Sequence, residues 1–316
     1  MTVPTIDPVM QLLFGGVIGL LVLASIIGFV LARRVSSDSG RETVRNLNAR
    51  IKAWWAMVAV FAFAFIFGKG VTLVLFTLVS FYCLREFLTL TPTHPTDHRA
   101  IAAAFYLFIP LQYWMVWIEW SSMLTILIPV YAFLLLPVLA VIKGETADFL
   151  QRSARIQWGL MLTVFCISHA PALLMLDLPG GHRPIYLLFF LITVVQLSDV
   201  LQYVFGKLFG RHKIAPHVSP SKTVEGFVGG GLAATGVGAG LYWITPFTTL
   251  EAAAMAAAIV LAGFMGGLVL SAVKRSLGAK DWGVMIEGHG GALDRMDSVT
   301  FAAPLFFHLV NYFFAL

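Results

Sequence analysis

Residues 10 to 32 read MQLLFGGVIGLLVLASIIGFVLA, 23 positions without a charged side chain. About 20 apolar residues suffice to cross the hydrocarbon core of a bilayer as a helix. The apolar core of a cleaved leader is shorter, about 7 to 15 residues, and follows basic residues. No Lys or Arg precedes residue 10, so the run is expected to be a retained membrane helix.

Working outward, similar runs cover residues 53 to 67, 71 to 88, 100 to 118, 122 to 142, 158 to 176, 184 to 206, 225 to 245, 251 to 271 and 299 to 315. The fold class expected is all-α, a polytopic transmembrane helical bundle of about 9 to 10 helices. The composition agrees: 59% of the 316 residues are hydrophobic and 12% charged, against about one quarter charged in a soluble domain. Only Gly68-Lys69-Gly70 separates the second and third runs, and charge decides whether they are one span or two. Counted as two, they leave 19 of the 21 Lys and Arg on one side, with only Lys69 and Arg183 opposite. Counted as one, they scatter the charges over both sides. Basic loops stay cytoplasmic, so the expected arrangement is ten spans with both termini outside, in a bacterial inner membrane with its polar loops cytoplasmic.

The net charge of +5 lies in these loops and forms no basic arm interleaved with aromatics, so nucleic acid is not an expected partner. Residues 33 to 53 read as a charged interfacial helix that sets topology. Cys83 and Cys166 lie in apolar runs and read as packing residues. His169, before Pro171, and His308 read as interior histidines, and Gly229, Gly230 and Gly231 as a site of close helix packing. The chain divides into residues 1 to 150, membrane helices without a motif, and 151 to 316, where the chemistry concentrates.

Residues 271 to 298, SAVKRSLGAKDWGVMIEGHGGALDRMDS, hold four basic residues, three Asp, one Glu, one His and five Gly beside a membrane helix. Lys and Arg neutralise phosphoryl oxygens, carboxylates hold Mg²⁺, and glycine lets backbone N–H groups approach an anion. Asp294 and Asp297, three apart, would share one helix face and a divalent cation. Upstream, Asp199 follows Ser198 in an apolar run, where a carboxylate is costly without a cation or water. Ser219, Lys222 and Thr223 are further candidates for phosphate contact, although the P-loop pattern is absent.

At these residues the sequence resembles the phosphatidate cytidylyltransferase (CDP-diacylglycerol synthase) family. The resemblance rests on S-x-x-K-R, K-D and H-G-G-x-x-D-R-x-D-S, realised as Ser271, Lys274, Arg275, Lys280, Asp281, His289, Gly290, Gly291, Asp294, Arg295, Asp297 and Ser298. The S-D and S-P-x-K-T-x-E-G elements match at Ser198, Asp199, Ser219, Pro220, Lys222, Thr223, Glu225 and Gly226. It covers about residues 187 to 307.

The resemblance implies transfer of CMP from CTP to phosphatidic acid within membrane lipids, with Mg²⁺ and room for a monovalent cation such as K⁺; a homodimer stays open. It implies catalytic roles for Lys274, Arg275, His289, Asp294 and Asp297, and metal binding at Asp294 and Asp297, with Asp281 in support. Substrate contacts would come from Ser198, Asp199, Ser219, Lys222, Thr223, Ser271, Lys280, Gly290, Gly291, Arg295 and Ser298. The sequence also departs from the family pattern. Gly267 stands where many members carry an Asp that the resemblance implies is a metal ligand, and Leu270 where they carry Glu. Glu287 replaces the usual Pro or Gly, and Leu201 and Gln202 replace small residues. Asp281, Asp199 or Glu287 could supply the missing ligand. Two other readings therefore stay open, a transferase acting on a different lipid phosphate and a membrane transporter.

Overall fold

The computed structural model describes residues 7–34, 38–142, 144–285 and 290–316. Ten helices follow in order: α1 (Pro8–Arg34), α2 (Asp38–Phe67), α3 (Lys69–Leu90), α4 (Pro95–Trp117), α5 (Ser121–Val141), α6 (Phe149–Met175), α7 (Ile185–Phe209), α8 (Val224–Gly240), α9 (Thr249–Ser276) and α10 (Leu293–Phe313). Between α7 and α8 lies an antiparallel hairpin of β1 (Lys213–Ala215) and β2 (Ser219–Thr223).

Among the described residues, eight helices are long and apolar enough to cross a membrane, the exceptions being α8 and α10. The first is 17 residues long, and the second opens with Asp294, Arg295 and Asp297. The apolar side chains exposed on α1, among them Leu20, Ile26 and Phe29, need lipid rather than water as their solvent. The chain is an integral membrane protein.

Contacts between helix ends show that the helices alternate in direction. At one face Lys69, opening α3, pairs with Glu119 after α4, and Arg183, before α7, pairs with Asp7 before α1. The N–H of Leu316 donates to the Asp177 carbonyl between α6 and α7 at the same face. These are the ends that ten alternating spans would bring together, and they include both basic residues the charge count left apart. At the opposite face a buried ion pair joins Arg152 of α6 to Asp97 of α4, 3.2 Å apart.

Gly68, at a φ of +81°, breaks the helix between α2 and α3, so the doubtful pair is two helices. Residues 33 to 53 differ from expectation. From Arg41 to Phe67 no Gly or Pro interrupts the chain, and the charged stretch continues into the apolar one as a single helix, α2. π-Helical turns interrupt α4, α5 and α6 at Ala104–Phe108, Leu127–Ala132 and Met161–Cys166.

One apolar core runs from Met10 to Val310 and crosses residue 150. Small residues set its closest approaches. A Cβ on Gly230 of α8 would lie 2.3 Å from the Gln202 amide nitrogen of α7, so only glycine lets these backbones touch. His169 is buried, its Nδ1 2.7 Å from the Phe165 carbonyl and its ring beside His308.

Candidate active site

The polar residues meet where α7, α9 and α10 converge with β2. Asp199 sits three turns before the end of α7, and Ser298 and Asp297 lie in the second turn of α10. Ser298 links the two carboxylates: its hydroxyl donates to Asp199 Oδ1 at 3.1 Å and its backbone N–H to Asp297 Oδ1 at 2.8 Å. The carboxylates repel each other across this bridge, and Lys222 and Arg295 offset the repulsion. Carboxylates placed together inside a membrane protein are stabilised by a neighbouring cation or by a shared proton.

Lys222 reaches the pair from β2. Its Nζ donates to the Phe264 carbonyl of α9 at 3.3 Å and lies over the Phe264 ring, 4.5 Å from the centroid. Burial lowers its pKa, while Asp199 and Asp297 pull it back up. The ammonium occupies the space over Gly267: a Cβ there would stand 2.8 Å from Nζ. The position at which the sequence departs from the family's acidic pattern is therefore filled by the end of a lysine. Arg295 is half-buried, and among the described residues its Nε has no partner, leaving a donor free for an anion.

Asp294 faces elsewhere. Its Oδ1 takes a hydrogen bond from Lys274 Nζ at 2.6 Å, and its Oδ2 accepts from the Trp282 N–H at 2.7 Å and the Gly291 N–H at 2.8 Å. It ties α9, the loop after it and the start of α10 into one unit. The sequence reading pairs Asp294 with Asp297, whereas the fold brings Asp297 to Asp199.

The other expected residues fall into three groups. Thr223 caps α8, accepting from the Gly226 N–H at 3.1 Å, and Ser198 accepts from Gln202 Nε2 at 2.6 Å. Ser271 bonds back to Gly267 in its own helix, and Arg275 bonds the carbonyls of Val218 and Ala279, joining hairpin to loop. Lys280 and Asp281 are exposed, Ser219 is half-buried in β2, and Gly290 adopts a φ of +80° beside Asp294. His289 and Glu287 lie outside the described residues.

Sequence reasoning missed Glu86 of α3. Its carboxylate accepts the backbone N–H groups of Ala292 and Leu293, each at 2.9 Å, and so caps the start of α10. A Cβ on Gly291 would collide with it at 2.3 Å. Next to it, Phe87 stacks on Trp282 with centroids 5.4 Å apart. A helix from the first third of the chain thus holds the loop before α10. The available signal was an acid in a long apolar run.

This cluster of acidic and basic side chains in a membrane bundle gains its assignment from sequence comparison. The profile of the cytidylyltransferase family matches residues 48–313. The chain belongs to the cytidylyltransferase family. It is accordingly a nucleotidyltransferase enzyme, which sets the transporter reading aside.

Among its relatives, Uncharacterized protein YnbB of Escherichia coli (strain K12) is 37% identical over 297 residues, 93% of this chain and 95% of that protein. A Phosphatidate cytidylyltransferase of Staphylococcus saprophyticus is 42% identical over 123 residues, 38% of this chain and 47% of the relative. One of Staphylococcus haemolyticus is 42% identical over 114 residues, 35% and 44%. Both matches thus cover less than half of those two enzymes.

Proposed function

We propose that this cytidylyltransferase moves CMP from CTP to the phosphate of phosphatidic acid, giving CDP-diacylglycerol and pyrophosphate. The observation that carries the reading is the Asp199–Ser298–Asp297 bridge with Lys222 and Arg295 around it. In the proposed step a lipid phosphate oxygen attacks the α-phosphorus of CTP and the bond to the bridging α–β oxygen breaks. The electron pair leaves on pyrophosphate. Such transfers depend on positioning and charge neutralisation, and Lys222 and Arg295 would neutralise phosphoryl oxygens. Lys274 and Asp294 would keep the loop before α10 in place, with Arg275 bracing it on the hairpin.

Mg²⁺ is the metal proposed. Among the described residues no cluster of three or more His, Cys, Asp or Glu is set to hold an ion, but Mg²⁺ is commonly held by one or two carboxylates together with substrate phosphates. Asp199 and Asp297 fit that mode, whereas Asp294 would first have to give up Lys274. When bound, Mg²⁺ would supply charge stabilisation at the phosphates. The site would face the cytoplasm of a bacterial inner membrane, on the basic side of the bundle.

The test is turnover of radiolabelled CTP with phosphatidic acid in detergent micelles. Asp297→Asn and Asp199→Asn should each lower CDP-lipid formation by about a hundredfold or more while leaving the thermal midpoint near that of the unmodified protein. Undiminished turnover in either variant would refute the role of the pair. Failure of the unmodified protein on phosphatidic acid would refute the acceptor. A different lipid phosphate as acceptor is the second reading, supported by Gly267 with Lys222 over it, and a panel of lipid phosphates separates the two.

A further inference from the structure

A cavity of about 750 Å³ lies between α1, α2 and the loop that follows α9, and neither Asp199 nor Asp297 lines it. Such a volume suits a small ligand or the end of a larger one. One face of α2 supplies most of its wall, since Arg41, Arg45, Asn48, Lys52 and Ala56 recur every three or four residues. Ala32 of α1 and Met285 complete it.

The cavity is basic at one end and apolar at the other, because α2 passes from charged to apolar sequence at Lys52. No carboxylate lines it, and Arg41, Arg45 and Lys52 have no ion-pair partner among the described residues. The walls are fixed by contact between α1 and α2. Trp55 Nε1 donates to Ser25 Oγ at 3.1 Å, and Gly28 packs so close to Asn48 that a Cβ would lie 2.2 Å from its Oδ1. Met285 belongs to the loop whose Trp282 is held by Asp294 and stacked on Phe87.

We infer that this cavity is the docking subsite for the phosphate monoester head of the lipid substrate, held by Arg41, Arg45 and Lys52 before transfer. The inference rests on the proposed lipid acceptor. Three cations at a membrane interface attract an anionic lipid, and guanidinium groups match phosphate oxygens two at a time. The apolar wall at Ala49, Ala53 and Ala56 suits the glycerol and upper acyl chains, which a free nucleotide lacks. The family match begins at residue 48, so Arg41 and Arg45 precede it.

The experiment compares the full chain with an R41Q/R45Q/K52Q variant, whose changes lie on an exposed helix face. Native mass spectrometry of each in detergent follows binding of dioleoyl phosphatidate, dioleoyl phosphatidylcholine and CTP. The unmodified chain should prefer phosphatidate to phosphatidylcholine. The variant should lose about tenfold of that preference, the effect of one charge-assisted phosphate contact, and bind CTP unchanged. In turnover, the KM for phosphatidate should rise in parallel. An unchanged lipid preference would overturn the subsite. So would loss of CTP affinity with lipid binding intact, which would give the basic face to the nucleotide. If the unmodified chain makes no CDP-lipid yet shows a preference that the variant loses, the proposed reaction falls and the subsite stands.

Discussion

Glu86→Gln removes one charge and almost no volume, and it tests whether α3 sets the position of the active-site loop. Glu86 accepts two backbone N–H groups at the start of α10, both at 2.9 Å. Gln keeps one acceptor oxygen and turns an NH₂ group toward the second donor, so one of the two bonds is lost. A hydrogen bond to a charged group contributes about 1.5–3 kcal/mol, and the anion's interaction with the helix dipole adds about 0.3–1 kcal/mol. The expected local loss is about 2 kcal/mol, which raises the open population of the loop about 30-fold. Hydrogen exchange followed by mass spectrometry on peptides covering residues 281 to 295 reads this directly. Protection there should fall by about that factor, while peptides from α5 are unchanged. Turnover should fall with it, and Glu86→Asp should restore part of both. Unchanged exchange in this peptide together with full turnover would refute a positioning role for Glu86.

Three further outcomes are expected. Gly267→Asp places its Cβ 2.8 Å from Lys222 Nζ, a side-chain end free to move, so the variant should fold and reach half-maximal turnover at lower Mg²⁺; an unchanged Mg²⁺ titration would count against metal binding at the pair. Arg152→Ala strands the buried Asp97 carboxylate and should cost about 3–5 kcal/mol, read as a large drop in the midpoint of thermal unfolding in detergent. Gly230→Ala drives a methyl into the Gln202 backbone and should cost about 1–3 kcal/mol or more; a thermal midpoint within a degree of the unmodified protein would show that α7 and α8 are not as close as described.

The fold was legible because lipid is an undemanding solvent to read. A spanning helix must satisfy its own backbone and face hydrocarbon with apolar side chains, so ten apolar runs and one-sided Lys and Arg were enough to order the helices. Gly68 shows the same legibility at a single residue, its positive φ ending one helix where the charge count had placed a loop. The hairpin was less legible, for Ser219 to Thr223 read as loop chemistry and gained strand pairing only from the neighbouring Lys213 to Ala215 segment.

By itself the sequence pointed to the class of chemistry, since Lys222, Arg295, Asp199 and Asp297 are the residue types that phosphate and divalent-cation chemistry draws on. Which carboxylates meet was a matter for the tertiary structure alone. Spacing pairs Asp294 with Asp297 along one helix, but helix packing turns Asp294 toward Lys274 and brings Asp199 across from α7, about a hundred residues away. Glu86 is the same lesson at greater distance. Local periodicity reports the face a residue occupies, and only the packing of helices against one another decides what stands opposite that face.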